Sequence, residues 1–243
     1  MNTSETLEKM SQMRLQGMKD AYSLHLETSH SEKMGNDEIV ALLVETEYAD
    51  RQNRKTERLM KNARFRYAGS VAEIDFTGNR NVDKSQIIRL ASCDFIKKGV
   101  DVLITGPTGA GKSFLASAIG HEACIRGFRV LYTNIMKLFS RLTMAKADAS
   151  HIKELVKIEK TDLLILDDFG LQKLDTENRL RLLEIIEDRH GRKSTIITSQ
   201  LPVSVWHEAI GDATIADAIL DRIVHNSFRI EIKGGSMRKK KKN

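Results

Sequence analysis

The run Asp101-Val-Leu-Ile-Thr105-Gly106-Pro107-Thr108-Gly109-Ala110-Gly111-Lys112-Ser113-Phe-Leu-Ala-Ser-Ala-Ile-Gly120 decides the fold. Residues 106–113 fit G-x-x-x-x-G-K-[ST], with an apolar β-rich run before them and a helical run after them, the context that makes the pattern specific. Gly109 and Gly111 let successive backbone N–H groups turn inward around a phosphate chain, and the following helix adds the partial positive charge of its N-terminus. The segment therefore reads as a nucleoside triphosphate cradle. Lys112 is expected to reach the β- and γ-phosphates, and the Ser113 hydroxyl to ligate Mg²⁺.

Such a site needs an acidic element on a neighbouring strand. Leu163-Leu-Ile-Leu-Asp167-Asp168 supplies it, four apolar residues and then two carboxylates, at the edge where open α/β sheets bind ligands. Asp167 is expected to hold Mg²⁺, directly or through water, and Asp168 to orient the attacking water. Further apolar runs at 100–105, 129–133, 195–199 and 228–232 alternate with helical stretches, which predicts a five-stranded, largely parallel sheet covered by helices on both faces. One strand, around Val130-Leu-Tyr-Thr-Asn134, lies in sequence between the phosphate loop and the acidic pair. The run near 195 ends in Thr198 and Ser199, which read equally as a γ-phosphate sensor and as a plain strand end. Tyr132 and Asn134 read equally as packing and as function. Arg222 falls on an apolar-faced helix, where an arginine is usually solvated or paired, here with Asp217 or Asp221.

Upstream of this domain the texture is helical. Leu7, Met10, Met13, Leu15, Met18, Tyr22 and Leu26 form one amphipathic stripe, and Asn36 or Asp37 is the expected cap of a second helix whose face runs through Ile39, Leu42, Leu43, Thr46 and Ala49. That helix leads into Arg51, Arg54, Lys55, Arg58, Lys61 and Arg64, cations recurring at three- and four-residue steps. They read either as a DNA-backbone stripe or as solvated charges on a helix packed through Leu59, Met60 and Phe65.

Charge follows the same division. The 243 residues carry a formal net charge of +6, but residues 1–50 hold 4 basic and 10 acidic groups, 51–66 hold 7 and 1, 67–228 hold 21 of each, and 229–243 hold 7 and 1. A neutral body flanked by short basic segments suits a protein that presents cations to a polyanion. With 41% hydrophobic and 30% charged residues the chain is neither fully disordered nor a disulfide-stapled miniprotein. No run is long and apolar enough for a membrane span and the N-terminus has no signal-peptide pattern, so a cytoplasmic location without membrane partners is expected. Cys93 and Cys124 lack the spacing of a zinc site or a disulfide framework.

Taken together, Ile74-Asp-Phe76, the segment 99–120, Gly127-Phe-Arg-Val-Leu-Tyr-Thr-Asn134, Asp162-Leu-Leu-Ile-Leu-Asp-Asp-Phe-Gly170, Ser194-Thr-Ile-Ile-Thr-Ser-Gln-Leu-Pro202, Asp217-Ala-Ile-Leu-Asp-Arg-Ile-Val-His225 and Gly234-Gly-Ser-Met-Arg238 resemble, in order and spacing, the IstB family. Its members are ATPase helpers encoded beside transposases in bacterial insertion sequences, relatives of DnaC-type helicase loaders within the AAA+ class. The resemblance implies ATP and Mg²⁺ as cofactors, Lys112 and Ser113 as the phosphate-loop pair, and Asp167 and Asp168 as the acidic pair. It also implies Ser199 at the sensor position, Arg222 as an arginine finger reaching a neighbouring subunit, and Arg238 as a second sensor. Where most AAA+ proteins carry Glu, this chain has Asp168, a carboxylate one methylene shorter, which implies slow hydrolysis.

The resemblance further implies a helical N-terminal domain (1–66), an AAA+ domain (67–238) without a helical lid, and a basic tail (239–243). The partners it implies are duplex DNA, a transposase and further copies of the chain. A helicase loader gripping single-stranded DNA is the nearest alternative, but the stripe has only Phe65 and Tyr67 nearby for base stacking. A small-molecule kinase would need an acceptor pocket and an arginine-rich lid, of which the sequence shows neither.

Overall fold

The computed structural model describes residues 2–28, 34–76, 80–147 and 150–237; Arg238 and the tail 239–243 lie outside them. The chain divides into two compact units, Met1–Arg58 and Leu59–Asn243. That division falls eight residues before the expected boundary at 66. Leu59, Met60, Ala63 and Phe65 explain it, because all four pack into the core of the second unit.

The first unit is helical: α1 (Thr3–Gln12), α2 (Gln16–Thr28) and most of α3 (Asn36–Ala63). The single helix expected over the first stripe is two. Arg14 takes a left-handed φ of 59° and the Leu15 N–H reaches back to the Met10 carbonyl at 2.8 Å, closing α1 in the manner usually given to glycine. The cap of α3 is also one residue earlier than Asn36: the Gly35 carbonyl accepts the Ile39 N–H, and the Gly35 N–H donates to Glu38 Oε2 at 2.7 Å. Glu47 is the buried polar residue of this unit, taking the Met18 N–H at 3.2 Å and Arg51 Nε at 2.6 Å.

In the second unit α4 (Lys84–Ala91) and α5 (Asp94–Lys97) precede the sheet. Then come β1 (Asp101–Thr105), α6 (Lys112–Ile125), β2 (Val130–Asn134), α7 (Ile135–Ala147), α8 (His151–Glu159), β3 (Leu163–Phe169), α9 (Thr176–Arg189), β4 (Ser194–Ser199), α10 (Trp206–Ile210), α11 (Ala213–Val224) and β5 (Ser227–Glu231). All five strands run parallel in the order β2-β3-β4-β1-β5. The α/β fold with a five-stranded parallel sheet is the one expected. In space the strand between the phosphate-loop strand and the acidic strand is β4, whereas β2 lies between them in sequence.

Period-two alternation distributes the core. Val102, Ile104, Ile165, Ile196 and Ile230 face one way, against α4, α5 and α6. Leu103, Leu164, Leu166 and Ile197 face the other, against α7, α9, α10 and α11. The N-terminal edge of the sheet is closed by Arg189, whose guanidinium donates to the carbonyls of Ile158, Thr161, Asp162 and Ser194 and to Thr195 Oγ1. Beside it Asp101 accepts the Thr195 N–H at 2.7 Å. Burial raises the Asp101 pKa, opposed by that N–H and by the Arg189 charge. Cys93 and Cys124 are both buried and free. No described helix is long and apolar enough to cross a membrane.

Candidate functional site

The phosphate loop joins β1 to α6 at the C-terminal edge of the sheet. Gly109 and Gly111 have φ of 79° and 96°, values a side chain resists, so the two glycines are what lets the loop turn there. Asp83, Asp175 and Asp212 cap α4, α9 and α11 through their carboxylates, while α6 starts at Gly111 with no side-chain cap. Its first N–H groups and its dipole therefore face the loop's concave side. Lys112 is only 6% exposed, and its ammonium donates to the carbonyls of Gly106 and Pro107 at 2.8 and 2.9 Å. Two other segments brace the loop: the Met237 N–H donates to the Gly109 carbonyl at 2.9 Å, and Arg80 donates to the Ala110 carbonyl. Thr108 donates its hydroxyl to Gln200 Oε1 at 2.6 Å, which brings the residue after β4 onto the loop.

The acidic pair lies in a β-bulge. Leu166 pairs with Ile197 and Phe169 with Ser199, so Asp167 and Asp168 together oppose Thr198 alone. Asp168 takes a φ of 63°, one of the few left-handed non-glycine residues here, and such strain costs on the order of 1–3 kcal/mol. The Thr198 hydroxyl fills the gap, donating to Asp167 Oδ1 and accepting the Asp168 N–H at 3.2 Å.

Asp167 is 1% exposed and also accepts the hydroxyls of Ser113, at 2.9 Å, and of Tyr132. Burial and the adjacent Asp167 carboxylate push the Tyr132 phenol well above its ordinary pKa, so it stays a donor. The bulge turns Asp168 outward, where its Oδ2 accepts Asn134 Nδ2 at 3.1 Å. Asn134 is itself fixed, its Oδ1 accepting the N–H groups of Met136 and Lys137 at the start of α7. Arg66 Nη1 lies 3.4 Å from both Asp167 Oδ2 and Asp168 Oδ2.

These donors fit Mg²⁺ held mainly by phosphate oxygens. A hydroxyl and a buried carboxylate 2.9 Å apart are hard oxygen ligands next to the phosphate cradle. Among the described residues no cluster of three or more His, Cys, Asp or Glu would hold a metal by itself.

Ser199 and Arg222 each have partners within the chain. Ser199 is fully buried with its hydroxyl turned from the carboxylates, donating to the Phe169 carbonyl at 2.7 Å and accepting the Leu201 N–H at 3.0 Å; it ties the strand ends together, and Thr198 faces the acidic pair instead. Parallel pairing sends neighbouring side chains to opposite faces, so only one of the two can point at the site. Arg222 binds the Ala218 carbonyl and Glu187 Oε1 at 2.8 Å, not Asp217 or Asp221, because α11 packs on α9. Of the basic stripe, Arg51 pairs with Glu47 and Arg54 with Asp50 and Glu47, while Lys55, Arg58 and Lys61 are exposed and make no ion pair among the described residues.

The family model described as IstB-like ATP binding protein matches residues 8–243. The chain belongs to that family. Its relatives include a putative insertion sequence ATP-binding protein, y4pL, of Sinorhizobium fredii, 43% identical over 96% of each chain. Another is the putative ATP-binding protein of insertion sequence IS1162 of Pseudomonas fluorescens, 42% identical over 84% of this chain and 89% of that one. The crystal structure of DnaI shares the fold, with a TM-score of 0.60 at 22% identity over 73% of this chain and 94% of that one. The phosphate loop and the all-parallel sheet give the second unit a P-loop nucleotide-binding fold, the fold it shares with DnaI.

Within this family member, the site contains residues the sequence did not single out. Gln200 lies inside the quoted run 194–202 but was given no role there, and Arg66 belongs to none of the quoted motifs. The signal available for Gln200 was its place just past the apolar strand, at the ligand-binding edge. Tyr132 and Asn134, which read equally as packing, both bind the carboxylates.

Proposed function

We propose that the chain is a DNA-binding ATPase of an insertion sequence, which assembles with further copies of itself on duplex DNA and assists a partner transposase. The observation that carries the catalytic part is the bulge. It sets Asp167 among three hydroxyls beside the phosphate loop and turns Asp168 toward the solvent side, where a water can be oriented. Asp167 would hold Mg²⁺ together with Ser113, and the ion would neutralise charge developing on the phosphates. Lys112 exchanges its two loop carbonyls for phosphate oxygens. Asp168, fixed by Asn134, accepts the proton of the attacking water. Its short side chain supports slow turnover.

The relatives' names support the insertion-sequence setting, and the exposed Lys55, Arg58 and Lys61 support the DNA part. Arg54 adds to that stripe more readily than Arg51, since its pair with Asp50 is partly exposed and is worth only about 0.3–0.5 kcal/mol, whereas Arg51 holds the buried Glu47. Arg222 would serve a neighbouring subunit after leaving Glu187.

Duplex binding should strengthen with ATP relative to ADP or no nucleotide. It should also weaken with salt, with a log–log slope of about −0.9 per phosphate contact. Equal affinity in all three nucleotide conditions overturns the reading. Tight binding to single strands but not to duplex would instead favour a helicase-loader role.

A further inference from the structure

We propose that Arg66 is a positioning residue that competes with the divalent cation for the Asp167–Asp168 pair, setting how strongly ATP binding depends on metal. The inference rests on the ATP–Mg²⁺ reading of the phosphate loop and goes beyond it, because it concerns a residue outside every motif of that site.

Two adjacent carboxylates, one 1% and the other 20% exposed, require a cation. The Lys112 ammonium donates to the carbonyls of Gly106 and Pro107. Arg66 supplies a cation to both carboxylates. Its approach, however, has the geometry of an exchangeable partner. One nitrogen is shared between two oxygens at 3.4 Å each, rather than the two short parallel bonds by which arginine grips a carboxylate. The side chain is 45% exposed. In this same position its guanidinium lies 5.6 Å from the centroid of the Tyr67 ring, a weak contact beside the carboxylates.

The backbone carrying it is the opposite of exchangeable. Ala63 is fully buried, and Arg64, at a φ of 59°, ends α3 and turns the chain toward the sheet edge. Phe65 packs edge-on against His121 with centroids 4.3 Å apart and lies 6.4 Å from Tyr132. Gly120 makes room for it, because a Cβ there would stand 2.5 Å from Phe65 Cε1. So the residue is delivered to the carboxylates by a built anchor while its charged end stays free to leave.

A cation bound by Ser113 and Asp167 Oδ1 would stand one carboxylate away from the guanidinium on Oδ2. Three positive charges would then share two carboxylates, and at such separations repulsion in a partly buried site is severe. Entry of the metal and retention of Arg66 oppose each other.

The test uses the full chain as wild type, Arg66→Ala and Arg66→Lys, each titrated with a fluorescent ATP analogue in EDTA and in saturating Mg²⁺. The ratio of Kd in EDTA to Kd in Mg²⁺ should rise about tenfold in Arg66→Ala, and Arg66→Lys should return it toward wild type. A merely structural role would weaken both arms together and leave the ratio alone. An unchanged or smaller ratio in Arg66→Ala overturns the proposal, the smaller ratio meaning that Arg66 assists the metal. If the wild type binds the analogue in neither medium, the ATP reading falls and takes the proposal with it. Should Arg66→Ala fail to fold by circular dichroism, Arg66→Gln takes its place in the same titration.

Discussion

The two ends of one sheet each hold an arginine beside aspartates, and they are built to different standards. At the N-terminal edge Arg189 is 3% exposed and donates to five oxygens from two segments of chain, 158–162 and 194–195, with Asp101 alongside. At the C-terminal edge Arg66 is half exposed and makes two long contacts. Buried charges are tolerated only when their hydrogen-bonding capacity is met, and Arg189 meets that condition from the fold alone. Arg66 and Lys112 meet theirs with partners that a triphosphate and a metal can replace. The first cluster is a joint of the scaffold, and the second is arranged for exchange.

Substitutions at the two ends should therefore separate stability from chemistry. Arg189→Met strips five oxygens of their donor and leaves Asp101 without its cation, and should cost about 3–5 kcal/mol of folding stability. In thermal unfolding that is a fall in Tm of roughly 6–20 °C; an unshifted Tm would break the contrast at once. Asp168→Asn should do the reverse. Hydrolysis should drop by roughly 10²–10³-fold while Tm stays put, since Asn accepts a left-handed φ as readily as Asp. Phosphate release assays read the first part, and a turnover within threefold of wild type would remove Asp168 from the water.

Lys112→Ala should weaken ATP binding by about 10–100-fold, the worth of a charge-assisted hydrogen bond. Calorimetry measures it, and near-normal affinity would mean that Lys112 stays with its loop carbonyls when ATP binds. The smallest pair of effects divides neighbouring residues. Thr198→Val should slow hydrolysis about three- to tenfold, and Ser199→Ala should instead lower stability by about 1 kcal/mol with turnover intact. The opposite pattern would restore Ser199 as the sensor.

Much of the scaffold was legible because its signals are local. Five β-rich runs, a glycine loop and a run ending in two aspartates specify a parallel sheet and place its ligand edge, and each strand lies within a few residues of the expectation. What was illegible depends on geometry that sequence spacing does not encode. Choosing Thr198 over Ser199 required knowing which of the two side chains at the end of β4 meets the acidic pair, and the bulge at Asp167 shifts that register. Arg66 meets Asp167 across 101 positions of chain, carried there by the packing of Phe65. The break at Arg14 was hidden because the apolar stripe continues across it and no glycine marks the turn.

The bulge has a consequence for how the site can be lost. On either side of it the β3–β4 ladder is in step, and only the acidic pair exceeds the count of its partner strand. Deleting a single codon, for Asp167 or Asp168, would let the two strands pair without interruption and would release the left-handed strain. Such a chain should fold at least as well as its parent and no longer turn over ATP. In this protein the acidic pair exists by virtue of one residue more than a perfect sheet requires, so the loss of a single codon should leave a sound fold around an incomplete site.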